Sequence, residues 1–133
     1  MPTSKKYTYA VGRRRKAVVT LKLFSGTSES KINGKSLTQY FPGDLAHDTY
    51  TLPQTLTKTA KKFYFIAKAV GGGKTGQLKA TALALSRALL KTDPDFRSLL
   101  RQAGLLTVDS RRRQRRMVGT GGKARRKKQS PKR

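Results

Sequence analysis

The chain has 133 residues and a formal net charge of +25, with 31 Lys and Arg against 6 acids, no cysteine and no tryptophan. That length suits one domain. The missing cysteines exclude disulfides and thiolate metal sites, and no apolar run approaches the ~20 residues that span a bilayer as a helix. The excess charge calls for a polyanionic partner, with nucleic acid ahead of an anionic membrane surface.

The opening MPTSKKYTYA has no apolar segment of the kind a signal peptide needs, and it does not read as a transit peptide. Residues 7–11 and 17–24 read as strands. In the second, Val19, Leu21 and Leu23 point one way and Thr20 and Lys22 the other. Gly12-Arg13-Arg14-Arg15-Lys16 joins them. Adjacent cations usually mark a solvated turn, but the net charge favours phosphate contact, which the planar fork of arginine suits. A short strand around Ile32 meets a turn at Asn33-Gly34. Ser36 caps a short helix that Pro42-Gly43 ends, and residues 53–61 read as another short helix with Pro53 in its first turn. Between them, Asp44, His47 and Asp48 have a spacing open to a metal or acid–base site. Three loosely spaced ligands favour a plain surface cluster, so no metal, cofactor or catalytic set is expected.

Phe63 to Val70 is nearly all apolar, which predicts a central strand covered on both faces. Gly71-Gly72-Gly73-Lys74-Thr75-Gly76-Gln77 follows it. A nucleoside-triphosphate loop of Walker type would need glycine at position 68, where Lys68 stands. The loop suits a single phosphate held by helix N-terminal N–H groups and the charge of Lys74, and equally a tight turn with positive φ. Residues 76–91 read as a helix with Leu78, Ala82, Leu85 and Leu89 on one stripe, widened by Leu83 and Leu90. Asp93 then caps a helix with Pro94 at its first position, Gly104 as its stop, and Phe96, Leu99, Leu100 and Ala103 on its inner face. The order predicts an α+β body, a small sheet covered by helices.

Apolar patterning ends after Val108. The chain therefore divides into a globular body, 1–108, expected to bind nucleic acid, with RNA as the reading adopted below, and a long extended basic C-terminal tail, 109–133. Residues 107–133 hold twelve basic residues and a single acid, Asp109, leaving nineteen basic residues against five acids in 1–106. Ordering a backbone costs about 1–2 kcal/mol per residue, and this segment has almost no apolar surface to offset it. Its order is expected to come from a polyanion gripped by Arg111, Arg112, Arg113, Arg115, Arg116, Lys123, Arg125 and Arg126, with Gly119, Gly121 and Gly122 as a hinge. A solubility tail or a basic targeting signal has the same composition.

Several stretches together resemble a family. They are Tyr9-Ala10-Val11-Gly12-Arg13-Arg14-Arg15-Lys16, Ile32-Asn33-Gly34-Lys35-Ser36-Leu37 with Tyr40-Phe41, and the glycine loop continued through Ala80, Ala84, Ser86 and Arg87-Ala88-Leu89. To these add residues 99–107, Asp109-Ser110-Arg111, Lys123-Ala124-Arg125-Arg126 and the final Lys132-Arg133. From about residue 7 to the end, the chain resembles the bacterial type of the ribosomal small-subunit protein nine family. The resemblance implies a non-enzymatic, structural constituent of the small ribosomal subunit, bound to ribosomal RNA in the subunit head beside neighbouring head proteins. It implies a fold like the second domain of ribosomal small-subunit protein five, with a left-handed βαβ crossover. Arg13, Arg14, Arg15, Lys16, Lys74 and the tail cations would hold ribosomal RNA. Lys132 and Arg133 would reach the anticodon stem-loop of the peptidyl-site transfer RNA during translation. It implies no membrane and no small-molecule substrate, and a cytoplasmic location, with an organellar ribosome as the alternative. The chain departs from the pattern at Ala82-Leu83-Ala84, where members of that family often carry arginine, histidine and glycine, and at Gln129-Ser130-Pro131, which lacks the usual aromatic. The rival reading is a histone-like protein that coats nucleic acid without fixed partners. It would share the tail but have no need of the glycine loop.

Overall fold

A computed structural model describes residues 6–123, 125 and 127. Its elements in chain order are β1 (Thr8–Arg14), β2 (Ala17–Ser25), β3 (Lys31–Ile32), β4 (Lys35–Ser36), α1 (Leu37–Tyr40), α2 (Asp44–Leu56), β5 (Phe63–Val70) and α3 (Lys74–Thr92). A 3-10 turn, Pro94–Phe96, then leads into α4 (Arg97–Gln102). The strands form one mixed sheet in the order β1-β2-β5-β3-β4. Only the β3–β5 pair is parallel, and α1 and α2 lie in the crossover between those two strands.

Strand alternation sends one set of side chains to the helices. Ala10, Leu21, Ala67 and Ile32 form one row across four strands, and all are buried. Each fully buried large side chain of this face, such as Leu21, Ile32 or Phe65, contributes about 1.5–3 kcal/mol over leaving it in water. α3 lies against β1 at very short range. A Cβ on Gly12 would stand 1.9 Å from the Ala80 carbonyl oxygen and 2.7 Å from the Ala84 nitrogen. Glycine on the strand and alanines on the helix let the two backbones meet. The open edge of β1 is closed by the same helix. Arg87 donates to the Val11 carbonyl at 2.8 Å and Lys91 to the Tyr9 carbonyl at 2.7 Å, which occupies groups that would otherwise template strand addition.

Three expectations are corrected. The helix placed at 53–61 spans Asp44–Leu56, begins after Gly43 and contains Pro53 in its interior. Tyr50 and Pro53 are buried with Ala46 packed alongside, and this stripe outweighs the lost backbone bond of a proline near the helix end. Second, β5 is central but covered on both faces only at its start, where Tyr64 is buried against Phe24; further along the outer face Ile66 and Lys68 are exposed. Third, the inner face of α4 is narrower than predicted. Leu100 is buried and Phe96 packs on the core, but Leu99 and Ala103 are exposed. The long helix agrees with the prediction and starts two residues earlier, at Lys74.

Candidate nucleic-acid interface

The β1–β2 turn forms where the hairpin must reverse in two residues, with Arg15 at φ 56°. The glycine loop after β5 is pressed onto this turn. Gly71 (φ +74°) and Gly72 (φ +63°) both occupy the left-handed region, and a Cβ on Gly71 would stand 2.6 Å from the Lys16 carbonyl oxygen. Only glycine meets both demands. α3 starts directly after it with Gly73 as N-cap and no side chain bonded to the cap. The first-turn N–H groups have no intrahelical partner and carry the positive end of the helix dipole.

Beyond Gly104 the chain returns along the body and closes this corner. A cleft of about 750 Å³ is lined by Arg14, Arg15 and Lys16 from the turn, by residues 72–76 from the loop and helix start, and by residues 112–116 and Lys123 from the tail. No carboxylate is among the lining residues. Cations from three separate segments thus share a space comparable with the ~8 Å screening length at physiological salt. Their mutual repulsion makes an anionic occupant favourable. The tail keeps Lys123 near by doubling back. Thr120 Oγ1 donates to the Met117 carbonyl at 2.6 Å, Gly119 has φ +86°, and Arg116 donates to the Lys123 carbonyl at 3.4 Å.

Asp109 fastens the tail to the body. Its carboxylate accepts from Arg111 Nε at 3.0 Å, Arg111 Nη2 at 2.9 Å and the Arg111 backbone N–H at 3.1 Å. Arg14 Nη2 lies 3.1 Å from Asp109 Oδ2, with the Arg14 side chain only 11% exposed. Arg14 Nη1 also donates to the Arg111 carbonyl at 3.0 Å. The hydrogen bonds from Arg111, then the charges of Arg111 and Arg14, hold the Asp109 carboxyl well below the usual carboxylate range.

A second set of polar contacts positions the glycine loop. Gln77, buried one turn into α3, donates to the Gly71 carbonyl at 3.0 Å and accepts from the Tyr40 hydroxyl at 2.6 Å. Asn33 donates to that hydroxyl at 3.2 Å and exchanges bonds with the Ala69 backbone at 3.0 and 2.9 Å. Lys74 Nζ sits 3.1 Å from the centroid of the Tyr40 ring, a cation–π contact that directs its charge.

Of the residues singled out in the sequence, the structure gathers Arg14, Arg15, Lys16, Lys74, Arg112, Arg113, Arg115, Arg116 and Lys123. Arg13 lines a separate shallow cleft with Thr49 and Lys79. The Arg111 guanidinium is engaged by Asp109, and Arg125 does not line the cleft. Arg126, Lys132 and Arg133 lie outside the described residues. Ala82, Leu83 and Ala84 are buried. Sequence reasoning missed the roles of Asp109, Tyr40 and Gln77. The signal for the first was its isolation, as the single acid at the head of a basic run. Asp44, His47 and Asp48 lie exposed at the start of α2, and no group of three or more His, Asp or Glu among the described residues is placed to hold a metal. No helix among these residues is long and apolar enough to cross a membrane.

Fold and cleft together define a basic α+β scaffold with an acid-free, phosphate-suited cleft. Comparison with known proteins makes the class particular. The family model described as ribosomal protein S9/S16 matches residues 12–133. The small ribosomal subunit protein uS9 of Maridesulfovibrio salexigens is 44% identical over 119 residues, covering 90% of this chain and 92% of that protein. The uS9 of Methylacidiphilum infernorum is 47% identical over 113 residues, covering 85% and 83%, and that of Saccharopolyspora erythraea 42% over 109 residues, covering 82% and 71%. The chain belongs to the ribosomal protein S9/S16 family. It is a structural, non-enzymatic constituent of the small ribosomal subunit and takes part in translation.

Proposed function

We propose that the cleft holds phosphates of small-subunit ribosomal RNA in the subunit head, and that the C-terminal end of the tail reaches the anticodon stem-loop of the peptidyl-site transfer RNA. The observation that carries the reading is the convergence of the β1–β2 turn, the glycine loop and the tail on one acid-free cleft. Arg15, Lys16, Lys74, Arg112, Arg113, Arg115, Arg116 and Lys123 supply charge there, and the α3 amides supply directed N–H groups. Arg13, Arg14, Arg111, Arg125 and Arg126 belong to the same proposed RNA surface, with Arg14 and Arg111 also holding the tail. Such contacts fix position and carry no base code. Engaging about six phosphates through the tail gives a log–log salt slope near −4 to −5. Lys132 and Arg133 act on the transfer RNA backbone in the same way.

The reading includes a division of labour between a body, 1–108, and a tail, 109–133. It also includes a fold shared with the second domain of ribosomal small-subunit protein five, with its left-handed crossover, neighbouring head proteins as partners, and a cytoplasmic ribosome as the location. Sucrose-gradient fractionation at moderate salt tests the assignment to ribosomal RNA. The chain is expected to co-migrate with small subunits, and a histone-like coat protein would spread over all nucleic acid in the gradient. Deleting residues 129–133 is expected to leave that co-migration intact and to weaken retention of peptidyl-site transfer RNA. Equal retention would remove the tail from that role.

A further inference from the structure

Among the described residues, the face of the sheet turned away from the helices is open at Tyr9, Lys22, Ile66, Lys68 and Val70, with Tyr64 buried at one end of it. By register, Tyr9, Lys22, Ile66 and Lys31 form one outward row across four strands. Tyr9 is 46% exposed and Ile66 47%, and Tyr7, just before β1, is 50% exposed. Lys68 stands one row away, opposite Thr20, and is exposed. The outward positions of β1, β2 and β5 include no acid. The Tyr7 ring is held firmly. Its centroid lies 5.7 Å from that of Phe24, Phe24 stacks on Tyr64 at 5.3 Å, and Lys22 Nζ sits 4.9 Å from the Tyr7 centroid.

This combination fits single-stranded nucleic acid better than a protein. Lysine is depleted in protein–protein interfaces, and an apolar partner would leave Lys22, Lys31 and Lys68 desolvated without counter-charges. Supported aromatic rings on an open sheet offer platforms for unpaired bases, with flanking lysines for the backbone. A strand rises about 3.3 Å per residue, so Tyr9 lies roughly 17 Å from Arg14 at the cleft end of β1, and the face is a separate surface. We infer that the open sheet face is a second RNA-binding surface, on which Tyr7 and Tyr9 stack unpaired bases and Lys22, Lys31 and Lys68 hold the backbone. It takes an extended single strand, because bases inside a duplex cannot reach the rings.

The test uses the full chain and a 4-thiouridine-substituted single-stranded RNA of about twelve uridines, within the ~4–16-nucleotide footprints of sheet-based single-strand binders. Irradiation is expected to cross-link Tyr7 or Tyr9. Tyr9→Ala is expected to weaken binding about fivefold or more, the low end of what one stacked base contributes. Tyr9→Phe keeps the ring face and is expected to restore binding to within about twofold, which a merely misfolded variant would not do. Neither change alters net charge, so general polycation binding does not account for a loss. Cross-links confined to the tail, or wild-type affinity in the Tyr7→Ala/Tyr9→Ala variant, would overturn the inference. So would a double variant that keeps its RNA affinity but loses a partner protein. A Lys74→Ala/Arg115→Ala variant separates the two surfaces. It is expected to flatten the salt slope while the tyrosine cross-links persist, and an unchanged slope with persisting cross-links would count against the cleft alone.

Discussion

Asp109 is an acid placed where a polyanion-binding surface should not want one, and its geometry explains why. It joins Arg14 of the body to Arg111 of the tail, residues 97 apart in the chain, and so keeps residues 112–116 against the glycine loop. Asp109→Asn removes a negative charge, and simple electrostatics would then predict tighter RNA binding. The latch predicts the reverse, a loss of roughly two- to fivefold in affinity for small-subunit ribosomal RNA by filter binding, the scale of a partly screened ion pair. Tighter binding by the variant would refute the latch. The pH dependence follows from the sign of the shift. The carboxyl is held below its ordinary value by the hydrogen bonds and charge of Arg111 and the charge of Arg14. Its contribution is therefore complete above the unfolded value near 4 and fades only as pH falls below it. A carboxyl-carbon NMR titration is expected to place the Asp109 midpoint below that of a free aspartate, with the latch intact from about pH 5 to 8. A midpoint at or above the free value would contradict it.

At the scale of elements, the contact between β1 and α3 sets the positions of everything in the cleft. Gly12→Ala would place a methyl 1.9 Å from the Ala80 carbonyl oxygen, and neither backbone can yield without moving the whole helix. The expected cost is at least about 1–3 kcal/mol, the range for overpacking, read as a lower urea midpoint. An unchanged midpoint would mean that the helix is free to slide. The same elements show what sequence can reveal. β5 was legible in both of its bounds because an apolar run ends abruptly at Gly71-Gly72-Gly73. α2 was not, because its core stripe is only Ala46, Tyr50 and Pro53 amid threonines, and the proline resembled a start signal. The open face of the sheet was hidden for a related reason. Tyr64, Ile66 and Val70 are apolar although they point away from the helices, so alternation left no trace except Lys68. The cationic members of the cleft were legible from composition and spacing. The latch and the Tyr40–Gln77 contacts were not, because they depend on which distant residues the topology brings together.

For the molecule as a whole, a net charge of +25 on 133 residues makes the free protein self-repelling, and its basic segments are arranged rather than scattered. The turn, the loop and the tail meet on one cleft, and the sheet face offers a second basic surface with aromatic platforms. A protein that merely coated nucleic acid would have no use for a glycine loop locked at positive φ against a neighbouring carbonyl, nor for a buried glutamine holding that loop in place. That arrangement suits a fixed place on one folded RNA, as expected of a subunit constituent. The most direct measurement is a nucleotide-resolution protection map of small-subunit ribosomal RNA, made with the intact chain and with the Arg15→Ala/Lys74→Ala/Arg115→Ala variant. A defined protected patch in the head of the subunit is expected, part of which the variant loses while the rest stays protected. Protection spread evenly over the RNA, or a pattern identical for both proteins, would contradict it.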